Sequence, residues 1–232
     1  MKTLVRHLAV LVAAAVAVLL FGWLRGEWDP MHRWNRAFGD TAFILIALTM
    51  ALGPIVALLP RASPVLPWRR ELGIYSGVAA TVHTAIVFIG WFGLDLWRLS
   101  GFAFHPTLQR YVLAEHGLGL ANWIGLFALV PAIGLALISN DRAFALFGPR
   151  TWKWLQSAAS AVWILVVLHA GYFLLMHFLH YHRPDPPANP VTWFVVGLTL
   201  SVQVLRWCAT YVVWQRAHRS RDKTPRVALD VT

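Results

Sequence analysis

Two histidines, His83 and His169, each sit in the middle of a long apolar run. A neutral imidazole can relay a proton or bind a metal. An ionisable group at mid-depth in such a run is costly, and its default meaning is function. His83 follows Arg70 by 13 residues and His169 follows Gln156 by 13. At 1.5 Å per residue, both then lie roughly 20 Å along their helices. Imidazoles at one depth on two helices can face each other across a metal.

The elements that must position them are membrane helices. The 232 residues are 58% hydrophobic and 13% charged, with a mean hydropathy of +0.59. Soluble domains carry about 25% charged residues. Runs long enough for a hydrocarbon core of about 30 Å recur along the chain. The pattern predicts an all-α integral membrane bundle of six transmembrane helices, over 8–24, 38–59, 72–94, 119–138, 157–179 and 192–214. The run 8–24 reads as an uncleaved first span rather than a signal peptide. Residues 1–215 form one membrane domain and 216–232 a basic tail. Stretches 25–36, 95–116 and the segment around 140–154 read as loops. Most of the 20 Lys and Arg fall on the side that carries both termini, among them Lys2, Arg69, Arg70, Arg150 and Lys153. The positive-inside rule places that side, and both termini, in the cytoplasm, with the chain as a multi-pass protein of the plasma membrane.

The net charge of +10 flanks apolar segments, which suits lipid head groups and argues against nucleic acid as a partner. Cys208 is the only cysteine, so a disulfide framework, a cysteine zinc site or an iron–sulfur cluster within the chain is excluded.

Two neutral imidazoles at one depth are what a six-coordinate b-type haem requires, and bundle cores commonly house such cofactors. Gly77, Ala79, Ala80 and Thr84 around His83, with Ala170 and Gly171 after His169, leave room for a flat macrocycle. The same small residues equally suit close helix packing. Two separately hydrogen-bonded core histidines are the plain alternative to ligation.

Further histidines lie toward the outer ends of the spans. His116 and His180 are the pair that could hold a second haem or a metal ion there; solvated histidines at the interface are the competing reading. At the cytoplasmic entrance, Arg69, Arg70, Trp152 and Lys153 converge near Gln156. Guanidinium groups suit phosphate and indole stacks on flat rings, so FMN or a quinone could dock there. Topology-setting charge and an interfacial aromatic belt explain these residues as well.

Arg69-Arg70-x-Leu-Gly followed by His83, then Trp152-x-x-Leu155 and Leu168-His169, resembles the ferric-reductase-like transmembrane domain. Within it, the motifs are most similar to the haem-binding membrane subunit of bacterial methionine sulfoxide reductase systems. The likeness covers about 38–172. It implies electron transfer outward through haem b to a periplasmic reductase catalytic subunit, with electrons from a cytoplasmic flavin reductase or the quinone pool. In those relatives a second histidine stands 13 residues before the position matched by His169, where this chain has Gln156. The related oxidases also carry a histidine near the place of Arg70. What carries over residue by residue is one haem, on His83 and His169.

The chain has no Gly-rich dinucleotide fingerprint, so any reducing nicotinamide must be handled by a separate protein. Two other functions stay open: a stand-alone ferric or cupric reductase, and a non-redox transporter or assembly factor.

Overall fold

Asp29-Pro30 starts the helix on which the bundle is built. The Asp29 carboxylate accepts hydrogen bonds from the main-chain N–H groups of Met31 and His32 (2.9 and 3.3 Å), and Pro30 supplies a first position that needs no donor. In this computed structural model, which describes residues 2–114, 116–176 and 189–222, that helix is α2, Pro30–Leu58. It follows α1, Lys2–Trp23. It packs on α1 and on α3, Trp68–Ala85, as well as on α7, Ala159–Gly171, and α8, Thr192–Asp222. Ala37, Thr41 and Ala47 on α2 are fully buried, so small side chains let four neighbours approach it.

A 3₁₀ turn over Pro60–Val65 reverses the chain into α3, which ends in a π-helical turn, Ile86–Trp91. Next come a short α4, Leu96–Leu99, and a hairpin of β1, Phe102–His105, with β2, Arg110–Leu113. The strands pair antiparallel with Phe102 opposite Leu113, and Trp97 stacks on Tyr111. Helix α5, His116–Leu137, then runs back through the bundle to α6, Asp141–Ser157. Asn140 caps α6, and Gly148 bends it at a φ of 75°, a conformation glycine adopts without the Cβ penalty. Helix α7 also closes on a π-helical turn, Tyr172–Met176.

Among the described residues, six helical segments are long and apolar enough to cross a membrane, as the composition leads one to expect. Large apolar side chains lie exposed along α1 and α8, including Leu4, Val12, Leu19, Trp193 and Trp207. Such exposure suits hydrocarbon rather than water. Three stretches read as loops are ordered instead. Residues 30–36 belong to α2, because the Asp29 cap and Pro30 start the helix well before its apolar run. Residues 141–157 form α6 because Asn140 supplies a cap. Part of 95–116 is the hairpin, held by cross-strand aromatic contacts such as Phe104 on Tyr111. Helix α8 also continues into the basic tail as far as Asp222.

Buried ion pairs tie the ends of α1 to the bundle. Arg25, 1% exposed, pairs with Asp40 and donates to the Phe21 carbonyl (3.1 Å) and to Oδ1 of Asn189 (3.0 Å). It thereby joins α1, α2 and the approach to α8. At the other end Arg6 donates to Oε1 of Glu71 at 3.0 Å, and Glu71 is wholly buried.

Candidate functional site

His83 lies on α3 three residues before its π-helical turn, and His169 lies on α7 three residues before the matching turn. A π turn re-aims the following side chains and is frequent at functional sites. The two imidazoles stand edge to face, with ring centroids 6.2 Å apart and planes at 83°. Both line a cavity of about 1100 Å³ whose wall includes Phe102 and Ala103 of the hairpin.

Each ring is held by a main-chain carbonyl. Nδ1 of His83 is 3.0 Å from the Asn35 oxygen on α2, and Nδ1 of His169 is 2.8 Å from the Ala121 oxygen on α5. A carbonyl can only accept, so each Nδ1 carries the proton and each Nε2 keeps its lone pair. This is the arrangement by which proteins orient a metal-ligating imidazole.

Each ring also packs against a glycine near its Nδ1 and Cε1 atoms. A Cβ on Gly39 would lie 3.1 Å from Nδ1 of His83, and one on Gly125 would lie 2.7 Å from Nδ1 of His169. Apolar walls complete the cavity: Phe43 and Ile46 from α2, Leu129 and Ala132 from α5, Ala80 from α3 and Val166 from α7. Arg36 lies over the Phe173 ring at 5.5 Å, and Phe173 in turn sits edge-on to His169. Asn35, Asp40, Ser76 and Asn122 are buried polar residues of the wall; Asn122 donates to the Leu99 carbonyl at 2.9 Å.

A haem fits these residues on three counts. Two metal–imidazole bonds of about 2 Å each and two ring radii of about 1 Å each make roughly 6 Å between ring centres, against the 6.2 Å found. The free Nε2 atoms are the ones left to ligate. Among the described residues no three His, Cys, Asp or Glu side chains gather as a metal site, and two imidazoles suit a metal that a macrocycle already holds.

Of the small residues picked out in the sequence, Gly77, Ala80, Thr84 and Ala170 line the cavity. Gly77 also packs helices, since its Cβ would meet Ala136 Cβ at 3.6 Å and the Ala132 oxygen at 3.8 Å. Ala79 is buried, and Gly171 faces open space.

The residues expected at the far entrance are absent from the lining of this cavity, and three of them are engaged locally. Arg70 donates to Oδ1 of Asp141 at 2.8 Å, Trp152 to the Ile138 carbonyl at 3.0 Å, and Gln156 to the Ser139 hydroxyl at 3.3 Å. Arg69 points toward Gly53, and Lys153 is exposed. The turn at 138–142 is what gathers Arg70, Trp152 and Gln156. Of the outer pair, His180 and the side chain of His116 lie outside the described residues. The structure adds residues that composition and spacing did not single out: Gly39, Gly125, Arg36, Asp40 and Phe173.

The class these features define is a polytopic helical membrane protein with a two-histidine cavity between two helix pairs. The chain is 28% identical to the protein-methionine-sulfoxide reductase heme-binding subunit MsrQ of Xanthomonas axonopodis pv. citri, over 72% of each chain. That likeness supports the resemblance read from the motifs. The chain is also 27% identical to the magnetosome protein MamZ of Paramagnetospirillum magneticum over 60% of its own length, but spans only 20% of that protein. No family model matches the sequence.

Proposed function

We propose that this protein is a membrane electron-transfer subunit that holds one haem b between His83 and His169. The observation that carries the reading is the facing pair of imidazoles, each pinned through Nδ1 with Nε2 turned free. The similarity to a heme-binding subunit of a methionine sulfoxide reductase supports it. Bound haem would supply one-electron redox chemistry. The chain's residues provide everything else: His83 and His169 ligate, and Phe43, Ile46, Leu129 and Val166 keep the macrocycle dry. Arg36 and Asn122, on the cavity wall, would offer hydrogen-bond donors to its carboxylates.

With both termini cytoplasmic, the hairpin face is periplasmic. His83 is 15 residues into its helix from Trp68, about 22 Å, and only eight from Trp91. The cofactor would thus lie nearer the periplasmic partner, a reductase catalytic subunit. Electrons would arrive from the cytoplasmic side, from a flavin reductase with FMN or from the quinone pool. Arg69, Arg70, Trp152 and Lys153 form the basic, aromatic face available to such a donor.

The pairing of Gln156 with Ser139 and of Arg70 with Asp141 supports a one-haem reading at the inner end, since neither residue offers a ligand there. The test is a reduced-minus-oxidised spectrum of the purified chain with haem counted per chain. A b-type spectrum at one haem per chain is expected; no Soret band in protein expressed with ample haem would sink the reading.

A further inference from the structure

The two histidine mounts repeat at a constant spacing. The histidines are 86 residues apart (169 less 83), and so are their carbonyl acceptors, Asn35 and Ala121, and their facing glycines, Gly39 and Gly125. The helix starts at Pro30 and His116 and the π-helical turns at Ile86 and Tyr172 keep the same interval. Helices α2 with α3, and α5 with α7, are therefore two copies of one device: a descending helix offers a carbonyl and, one turn later, a glycine, and the returning helix sets the Nδ1 edge of its imidazole against both.

In both copies the glycine serves the ring and not helix packing. All three of the nearest atoms to a Cβ on Gly39 belong to His83, and all three at Gly125 belong to His169. Gly77 differs, since its neighbours are another helix's Ala136 and Ala132.

Resting on the haem reading above, we propose that Gly39 and Gly125 are positioning residues that set the angle and basicity of the two axial imidazoles. A methyl group at either position pushes the ring away from its carbonyl or turns it about its side-chain bond. The first weakens the Nδ1–H bond that makes Nε2 a better donor, and the second re-aims Nε2. At Gly125 the methyl would meet Nδ1 and Cε1 at 2.7 Å, closer than non-bonded atoms tolerate; at Gly39 it would meet them at 3.1 and 3.2 Å, which a small ring shift relieves. The two variants should therefore be graded, with Gly125→Ala the harsher.

The experiment uses the purified full chain with Gly39→Ala, Gly125→Ala and two controls. The controls are Gly134→Ala, whose Cβ would have no neighbour within 4 Å, and Gly53→Ala, whose nearest neighbour is Arg69 at 3.9 Å. Haem per chain, the electron paramagnetic resonance spectrum of the oxidised protein and the midpoint potential are read for each. The expected result is a wild-type-like low-spin signal and potential in both controls. Gly39→Ala should shift the g-values and potential at unchanged haem content, and Gly125→Ala should lose most of the low-spin signal. Alanine favours helix over glycine, so a glycine of merely structural role would leave the signal unmoved. Wild-type signal and potential in both Gly39→Ala and Gly125→Ala would overturn the assignment while leaving the haem reading intact. Wild-type protein without haem would overturn both. Should Gly125→Ala fail to fold, the milder Gly39→Ala decides alone.

Discussion

The ring of His83 stands edge to face with that of His169, centroids 6.2 Å apart, although the two residues sit on different helices 86 positions apart in the chain. Each ring is also tied by Nδ1 to a carbonyl of a further helix, so four helices jointly set one pair of free nitrogens. Such a pair is over-determined, and the consequences of disturbing it can be stated.

Removing either imidazole should remove half of the ligation. His83→Ala and His169→Ala are expected to lose the low-spin b-type spectrum. His83→Gly or His169→Gly with millimolar imidazole added should recover part of it, because the opposite ring stays pinned. Titrating imidazole while following the Soret band checks this, and an unchanged spectrum in either alanine variant would count against the ligation.

The Arg25–Asp40 pair is buried at 1% and 9% exposure, and Asp40 lines the cavity wall. Removing one member leaves the other charge uncompensated, at a cost of about 3–5 kcal/mol. Asp40→Leu should therefore destabilise the detergent-solubilised protein strongly. The double variant Arg25→Met/Asp40→Leu should lose much less than the two singles together. Denaturation of the four proteins in one detergent measures the coupling.

Gln156→His places an imidazole 13 residues before His169 but should not add a second haem. The position related to it by the 86-residue interval is Arg70, held by Asp141 at 2.8 Å, so the new histidine meets no second ligand. Haem per chain should stay at one. A rise toward two would show that the inner end supplies a ligand from elsewhere.

Asp29 lies just outside α2, and the hydrogen bonds it accepts, above all from the His32 main chain and side chain, hold its carboxyl below the usual carboxylate pKa. A lowered folded-state pKa means that the cap's contribution is present above the unfolded-state value and is lost as pH falls through the folded one. Hydrogen exchange at the start of α2 should accelerate under acid beyond the intrinsic rate. In Asp29→Asn, which caps without titrating, that acid-induced loss of protection should be absent.

Much of the architecture was legible in the sequence because membrane crossing is a local property. Six apolar runs of sufficient length become six helices, and a histidine 13 residues past each basic or amide residue sets the two imidazoles at one depth. The starts of α2 and α6 were less legible, since an Asp29-Pro30 or Asn140 cap extends a helix into residues that composition alone reads as loop.

The sequence by itself determined a helical membrane bundle and the two histidines worth watching. Only the tertiary structure decided what holds them. Helices α5 and α7 are apolar on every side, because lipid and core both accept hydrocarbon, so their sequences carry no periodicity to say which face turns inward. The rotation of each helix is set by packing, and that rotation aims His169 at the Ala121 carbonyl and Gly125, sends Gln156 to Ser139, and turns two unremarked glycines into the floor beneath two rings.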